Sequence, residues 1–183
     1  PIYSCGEAEG RPYLVMQFMG GLSLDRALRA SPGGLALEEA VRVATEAARG
    51  LEAAHRHGII HHDVKPGSVL VDVDGNVRIG DFGLAEALRD DSPADDSEDA
   101  RWITPYYVSC ERVLTGREDY RGDIYSFGAT VYHLLSGRPP FEGKDSGEIA
   151  WARTKGVLPV APSEIRSEIP GALSDYVLRL LAP

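Results

Sequence analysis

The residues from His61 to Ser68 read His-His-Asp-Val-Lys-Pro-Gly-Ser, and a second carboxylate stands downstream in Asp81-Phe82-Gly83. Two carboxylates, one of them beside a lysine, are groups between which a hard divalent cation and a transferring group could sit.

The intervening residues explain how the two acids come together. Pro66-Gly67 breaks the loop, Val69-Leu70-Val71 reads as a strand, Asp72-Val73-Asp74-Gly75-Asn76 as a turn, and Val77-Arg78-Ile79 as the returning strand. Asp63 and Asp81 therefore sit at the two ends of one short hairpin. Upstream, Pro12 to Met19 reads as a buried strand stopping at Gly20-Gly21, and Ser23 can cap a short helix that ends before Ser31-Pro32. A long helix is predicted from about Leu37 to His57, with Val41, Ala44, Ala48, Leu51 and His55 as its apolar face and Gly58 as its terminator. After Asp123, residues Ile124, Phe127, Gly128, Val131 and Leu135 keep helical spacing with few charges on any side, which predicts a buried helix ending at Ser136-Gly137. Ser146 can cap a further helix to about Lys155, and Leu173, Val177, Leu180 and Leu181 mark a last one.

Composition narrows the function. With 183 residues, 43% apolar and 26% charged, the chain suits one soluble domain with a real core. The net charge of −9, from 28 acids against 19 bases, leaves no basic stripe for nucleic acid. Two cysteines at unrelated positions, Cys5 and Cys110, argue against a disulfide framework and for a reducing compartment. No apolar run is long enough to span a bilayer, so no membrane contact by this segment is expected. The chain starts at Pro1 rather than Met, which is read as a fragment or processed chain.

Two metal readings fall away. His55, His57, His61 and His62 straddle a helix end and a loop with no cysteine among them, which is not zinc spacing. Asp72-Val73-Asp74-Gly75 echoes a calcium loop but lacks the later ligands and closing Glu, leaving a tight turn. The acidic run from Asp90 to Asp99 reads as a solvated segment.

The motif residues together resemble the eukaryotic-type (Hanks-type) bacterial serine/threonine protein kinases. His61 to Ser68 is similar to their catalytic loop and Asp81-Phe82-Gly83 to their metal-binding triplet. Thr104-Pro105-Tyr106-Tyr107-Val108-Ser109-Cys110-Glu111 resembles the end of the activation segment, and Asp123 to Gly128 the start of the large central helix. The resemblance implies a kinase-like α+β fold, mostly helical here, with residues 1–19 as the last small-lobe strand and hinge and residues 20–183 as the large lobe. It makes 81–111 the activation segment, and it assigns the glycine-rich loop and strand lysine to a region upstream of Pro1, so this stretch alone is expected to be inactive.

The same resemblance assigns roles. Asp63 would accept the substrate proton, Lys65 would steady the γ-phosphate, and Asp81, with Ser68, would hold Mg²⁺. Met16, the backbone of Gln17 to Met19, and Leu70 would bind ATP. His61 would pack on Phe82, Asp123 would brace the catalytic loop, and Thr104 and Glu111 would face the substrate side. Partners would be ATP and proteins offering Ser or Thr, at a cytoplasmic location or the cytoplasmic face of an anchored parent. Four residues depart from the pattern: His62 for the usual Arg, Ser68 for Asn, Ile103 for Gly and Cys110 for Pro. The first two keep open a rival reading, a pseudokinase serving as a nucleotide-binding or scaffold module.

Overall fold

The computed structural model describes residues 2–82, 106–143, 148–149 and 155–182. The acidic run 90–99, Gly83, Ile103, Thr104 and the cap expected at Ser146 lie outside them.

Strands β1 (Ile2–Ala8) and β2 (Arg11–Met16) form an antiparallel hairpin closed by Glu9 and Gly10, both at positive φ, 54° and 74°. Consecutive positive-φ residues give the tight turn that matches strand twist. The sequence reading expected a buried strand over Pro12–Met19. The strand instead ends at Met16, and Tyr13, Leu14, Val15 and Met16 are all exposed, Met16 by 45%. A two-stranded ribbon presents two faces, and alternation of side chains buries neither unless another layer covers it.

The second sheet has the order β3 (Leu22–Ser23), β4 (Val69–Val71), β5 (Val77–Ile79), all antiparallel. β4 and β5 are the expected hairpin, whereas β3 had no sequence signal because it is two residues long. Gly21 makes that pairing possible: a Cβ there would lie 1.9 Å from the Val71 carbonyl oxygen. In the β4–β5 turn, Asp72 Oδ1 accepts from the amides of Asp74 (3.0 Å) and Asn76 (2.8 Å), and the Asn76 side-chain amide donates to Oδ2 at 2.9 Å. The Asn76 side chain, ahead of the two amides, holds the Asp72 carboxyl below its ordinary range. The carboxylate is consumed by the turn, in keeping with the reading of this segment as a turn rather than a calcium loop.

Helix α1 (Leu24–Ala30) is capped by Ser23, whose hydroxyl accepts from Arg26 N. Helix α2 (Leu37–Arg56) carries Glu38 and Glu39 in its first turn and His55 and Arg56 in its last, each suiting the helix dipole. Its buried residues are Ala40, Val43, Ala47 and Leu51. Of the expected stripe, Leu51 is buried and Ala44 packs partly buried against the core, whereas Val41 is exposed; Val41, Ala44 and Ala48 border a groove of about 440 Å³ shared with later helices. α2 also grips the hairpin: Arg42 Nη1 donates to the Gly75 carbonyl at 2.8 Å, and Glu46 Oε2 accepts from Val77 N at 3.3 Å.

Helix α3 (Cys110–Thr115) is short, and α4 (Tyr120–Ser136) runs through the centre. Buried hydroxyls of Ser126, Thr130 and Ser136 donate back to carbonyls one turn earlier, so their polar groups cost little. Asp119 caps α4 and Gly137 ends it at φ 76°. Helices α5 (Pro162–Ile165) and α6 (Gly171–Leu180) pack on α4 through residues such as Val177 and Leu181. The core joins α1, α2, the hairpin and α4, with Leu24, Val43, Val69, Ala129, Tyr132 and Leu135 at its centre.

Candidate active site

The loop between α2 and β4 is held from behind by one carboxylate. Asp123, on the first turn of α4, is 1% exposed. Its Oδ2 accepts from His61 N at 2.8 Å and from His55 Nε2 at 2.7 Å, and its Oδ1 accepts from His62 N at 2.8 Å. Charge-assisted bonds of this kind are the stronger ones; two of them fix the loop backbone and the third ties in the end of α2. Bracing of the loop by Asp123 was expected, but His55 was not: the periodicity placed it on an apolar face, and only its position at the helix end hints otherwise.

His61 is fully buried. Its Nδ1 accepts from Asp63 N at 3.2 Å, its Nε2 lies 2.7 Å from the Gly80 carbonyl, and its ring lies 4.4 Å from that of Phe82. A single tautomer, with the proton on Nε2, satisfies both partners. The histidine thus ties the loop to the far end of β5. The Gly80 amide returns the tie by donating to the Ser68 carbonyl at 2.8 Å.

Asp63 and Lys65 face each other in that frame. Lys65 Nζ is 2.6 Å from Asp63 Oδ2, and both side chains are 27% exposed. Among the described residues Asp63 Oδ1 has no partner and is left for another. Pro66–Ser68 forms a 3₁₀ turn whose Ser68 hydroxyl accepts from Lys65 N at 3.1 Å and donates to Lys65 O at 2.9 Å. Ser68 was expected in a solvated loop as a metal ligand. It is fully buried instead, because the turn folds its short side chain onto the backbone.

Asp81 follows β5 at φ 64°, a conformation that Asp tolerates better than most residues. It is exposed, and among the described residues its carboxylate has no hydrogen-bond or ion-pair partner. Mg²⁺ keeps several waters and takes one or two carboxylates plus substrate oxygens, so a single unengaged carboxylate beside the loop fits it. Among the described residues no group of three His, Cys, Asp or Glu stands ready for a metal.

The remaining expected residues are more scattered. Leu70 is half-buried on β4, against Gly80. Met16, Gln17 and Met19 end the first hairpin with no hydrogen bond to the loop among the described residues, and Glu111 is exposed on α3. A cluster absent from the sequence reading lies beside His62: Ser109, Arg112 and Glu118. The charged run Arg117-Glu118-Asp119 gives no sign that its middle member is buried.

Comparison with known proteins places this geometry in context. The protein kinase domain profile matches residues 1–182. The chain is similar to the serine/threonine-protein kinase PknB of Mycolicibacterium smegmatis, 34% identical over 99% of this chain and 29% of the relative. It is also similar to the probable serine/threonine-protein kinases PknB of Lactococcus lactis, 33% identical over 99% of this chain and 28% of the relative, and of Bifidobacterium longum, 37% over 83% and 22%. The chain spans less than a third of the length of these curated relatives.

Proposed function

This chain belongs to the protein kinase family, and from that premise we propose that it carries the catalytic loop of a serine/threonine kinase acting on protein Ser/Thr hydroxyls. The observation that carries the proposal is the Asp63–Lys65 pair at 2.6 Å, on a backbone pinned by buried Asp123. ATP with Mg²⁺, when bound, supplies the transferable γ-phosphoryl group and neutralises its charge. Asp63 orients the incoming hydroxyl and takes its proton on Oδ1, while Oδ2 stays on Lys65. The Lys65 ammonium holds that carboxylate in place and offers its remaining N–H bonds to anionic oxygens. Asp81 would hold Mg²⁺, and Met16, the Gln17–Met19 backbone and Leu70 would receive the adenine. In this reading residues 1–19 close the small lobe and form the hinge, residues 20–183 are the large lobe, and 81–111 the activation segment with Thr104 and Glu111 toward the substrate. No helix among the described residues is long and apolar enough to cross a membrane; the proposed use of ATP is what suits a cytoplasmic location or the cytoplasmic face of an anchored parent.

Ser68 favours a second reading. Its hydroxyl is occupied within the loop, so it is a poor metal ligand, as a pseudokinase scaffold would tolerate. Phosphoryl transfer from ATP to a serine/threonine peptide library by the full-length protein separates the two. Asp63→Ala and Asp81→Ala are each expected to slow transfer by at least about a hundredfold, the scale of losing a positioned base or charge clamp. Nucleotide binding without transfer in the wild type would favour the scaffold.

A further inference from the structure

Glu118 lies just before α4, and its side chain is 3% exposed. Its Oε1 accepts from Arg112 Nη1 at 2.5 Å and from His62 Nδ1 at 3.2 Å, and its Oε2 accepts from Ser109 Oγ at 2.7 Å. Arg112, 10% exposed, donates from the same Nη1 to the His62 carbonyl. Ser109 is fully buried and also caps α3, accepting from Arg112 N at 3.3 Å. Gly122 leaves room for the carboxylate: a Cβ there would lie 2.1 Å from Glu118 Oε2.

We propose that Glu118, together with Arg112, is a positioning residue for Asp63, acting through His62. His62 has φ 66°, a left-handed conformation that costs a non-glycine residue some strain unless its surroundings hold it. Here they do. Its amide is held by Asp123 Oδ1, its carbonyl by Arg112 and its ring by Glu118. The peptide between His62 and Asp63 is thereby set, and with it the direction in which the Asp63 side chain leaves the backbone. Stability alone does not explain the arrangement, because a buried ion pair roughly breaks even against apolar residues of similar size. An apolar pair would join α3 to the start of α4 as well, but it would have no donor for the His62 carbonyl and no acceptor for its ring. The inference rests on the reading of Asp63 as the group that handles the hydroxyl proton.

The test compares the full-length protein with the double variant Glu118→Met/Arg112→Leu, which removes both charges and keeps the volume. Its thermal midpoint is expected to fall by no more than about 10 °C, because the ion pair itself roughly breaks even while the Ser109 hydroxyl and the His62 ring and carbonyl lose partners. Its kcat should nevertheless fall at least about tenfold with KM for ATP within about twofold, the pattern of a displaced catalytic group. Amide exchange at His62 and Asp63 should quicken at least about tenfold, with the α4 core unchanged. If the double variant does not fold, Glu118→Gln, which keeps the shape and removes the charge, carries the same comparison. Wild-type protection of the His62 and Asp63 amides overturns the proposal whatever the rates do, and wild-type kcat with protection lost overturns the link to Asp63. A wild type without transfer would sink the kinase reading instead, and the exchange measurement would still decide whether Glu118 positions the loop.

Discussion

At the scale of single residues, hydroxyl and carboxylate placement decides what each group can do. Ser68 is fully buried, with its hydroxyl donating to Lys65 O and accepting from Lys65 N, so one lone pair remains for anything else. Removing the hydroxyl leaves the Lys65 amide without its acceptor in a part-buried turn. Ser68→Ala is expected to lower unfolding free energy by about 1–2 kcal/mol, the cost of a buried donor left unpaired. Urea denaturation with an unchanged slope would read this as a change in stability and not in the denatured state. A midpoint equal to wild type would show that the hydroxyl does not hold the turn. Asp81 is the opposite case, an exposed carboxylate with nothing among the described residues to engage it, and its value lies in what it can bind.

At the scale of elements, the active loop belongs as much to α4 as to its own hairpin. Asp123 receives N–H groups from His55 at the end of α2 and from His61 and His62 in the loop, so one carboxylate joins three segments. Replacing it leaves several donors buried without an acceptor. Asp123→Ala is expected to cost about 3–5 kcal/mol, the range for breaking a buried charged contact by removing one partner. Chemical denaturation measures it, and a loss under about 1 kcal/mol would mean that the loop finds other acceptors. The β4–β5 hairpin is held differently, by its own Asp72 turn and by Arg42 and Glu46 of α2, so it should keep its register in that variant.

At the scale of the whole molecule, pH tests how the segment after residue 105 docks on the core. The Tyr107 hydroxyl lies 2.6 Å from His133 Nδ1 on α4, so the neutral imidazole accepts from it. Burial pushes the Tyr107 phenol up and, as the largest cause, pushes the His133 imidazole below its ordinary value, against the opposing effects of Asp25 and of the Gly137 backbone. The unfolded chain therefore binds a proton at His133 more readily than the folded one. The contribution to stability is complete above about pH 6.5, the unperturbed histidine value, and is lost as pH falls from there toward the folded value. Urea unfolding at pH 7.5 and 5.5 should show a smaller acid loss in His133→Leu than in wild type. Equal losses would exclude His133 as the responsible group.

What the sequence determined by itself was local. The Asp63-Val64-Lys65 spacing, the break at Pro66-Gly67, the Asp72–Asn76 turn, the bounds of α2 and the buried character of α4 all depend on residues near one another in the chain, where turn chemistry and periodicity act directly. Tertiary structure decided the rest. On α2 both candidate stripes are rich in alanine, so periodicity could not choose between Val41-Ala44-Ala48 and Ala40-Val43-Ala47. Packing against α4 and β5 chose the second. Tyr13 to Met16 of β2 are as apolar as a core strand, yet they are exposed because burial depends on a covering layer and not on the strand's own residues. His55 and Asp123 are 68 positions apart, and Arg112 lies 50 from His62. Nothing in the composition of either segment names the other, and only the approach of α2, α3 and α4 around one loop turns an ordinary charged run into the buried carboxylate that sets the backbone at Asp63.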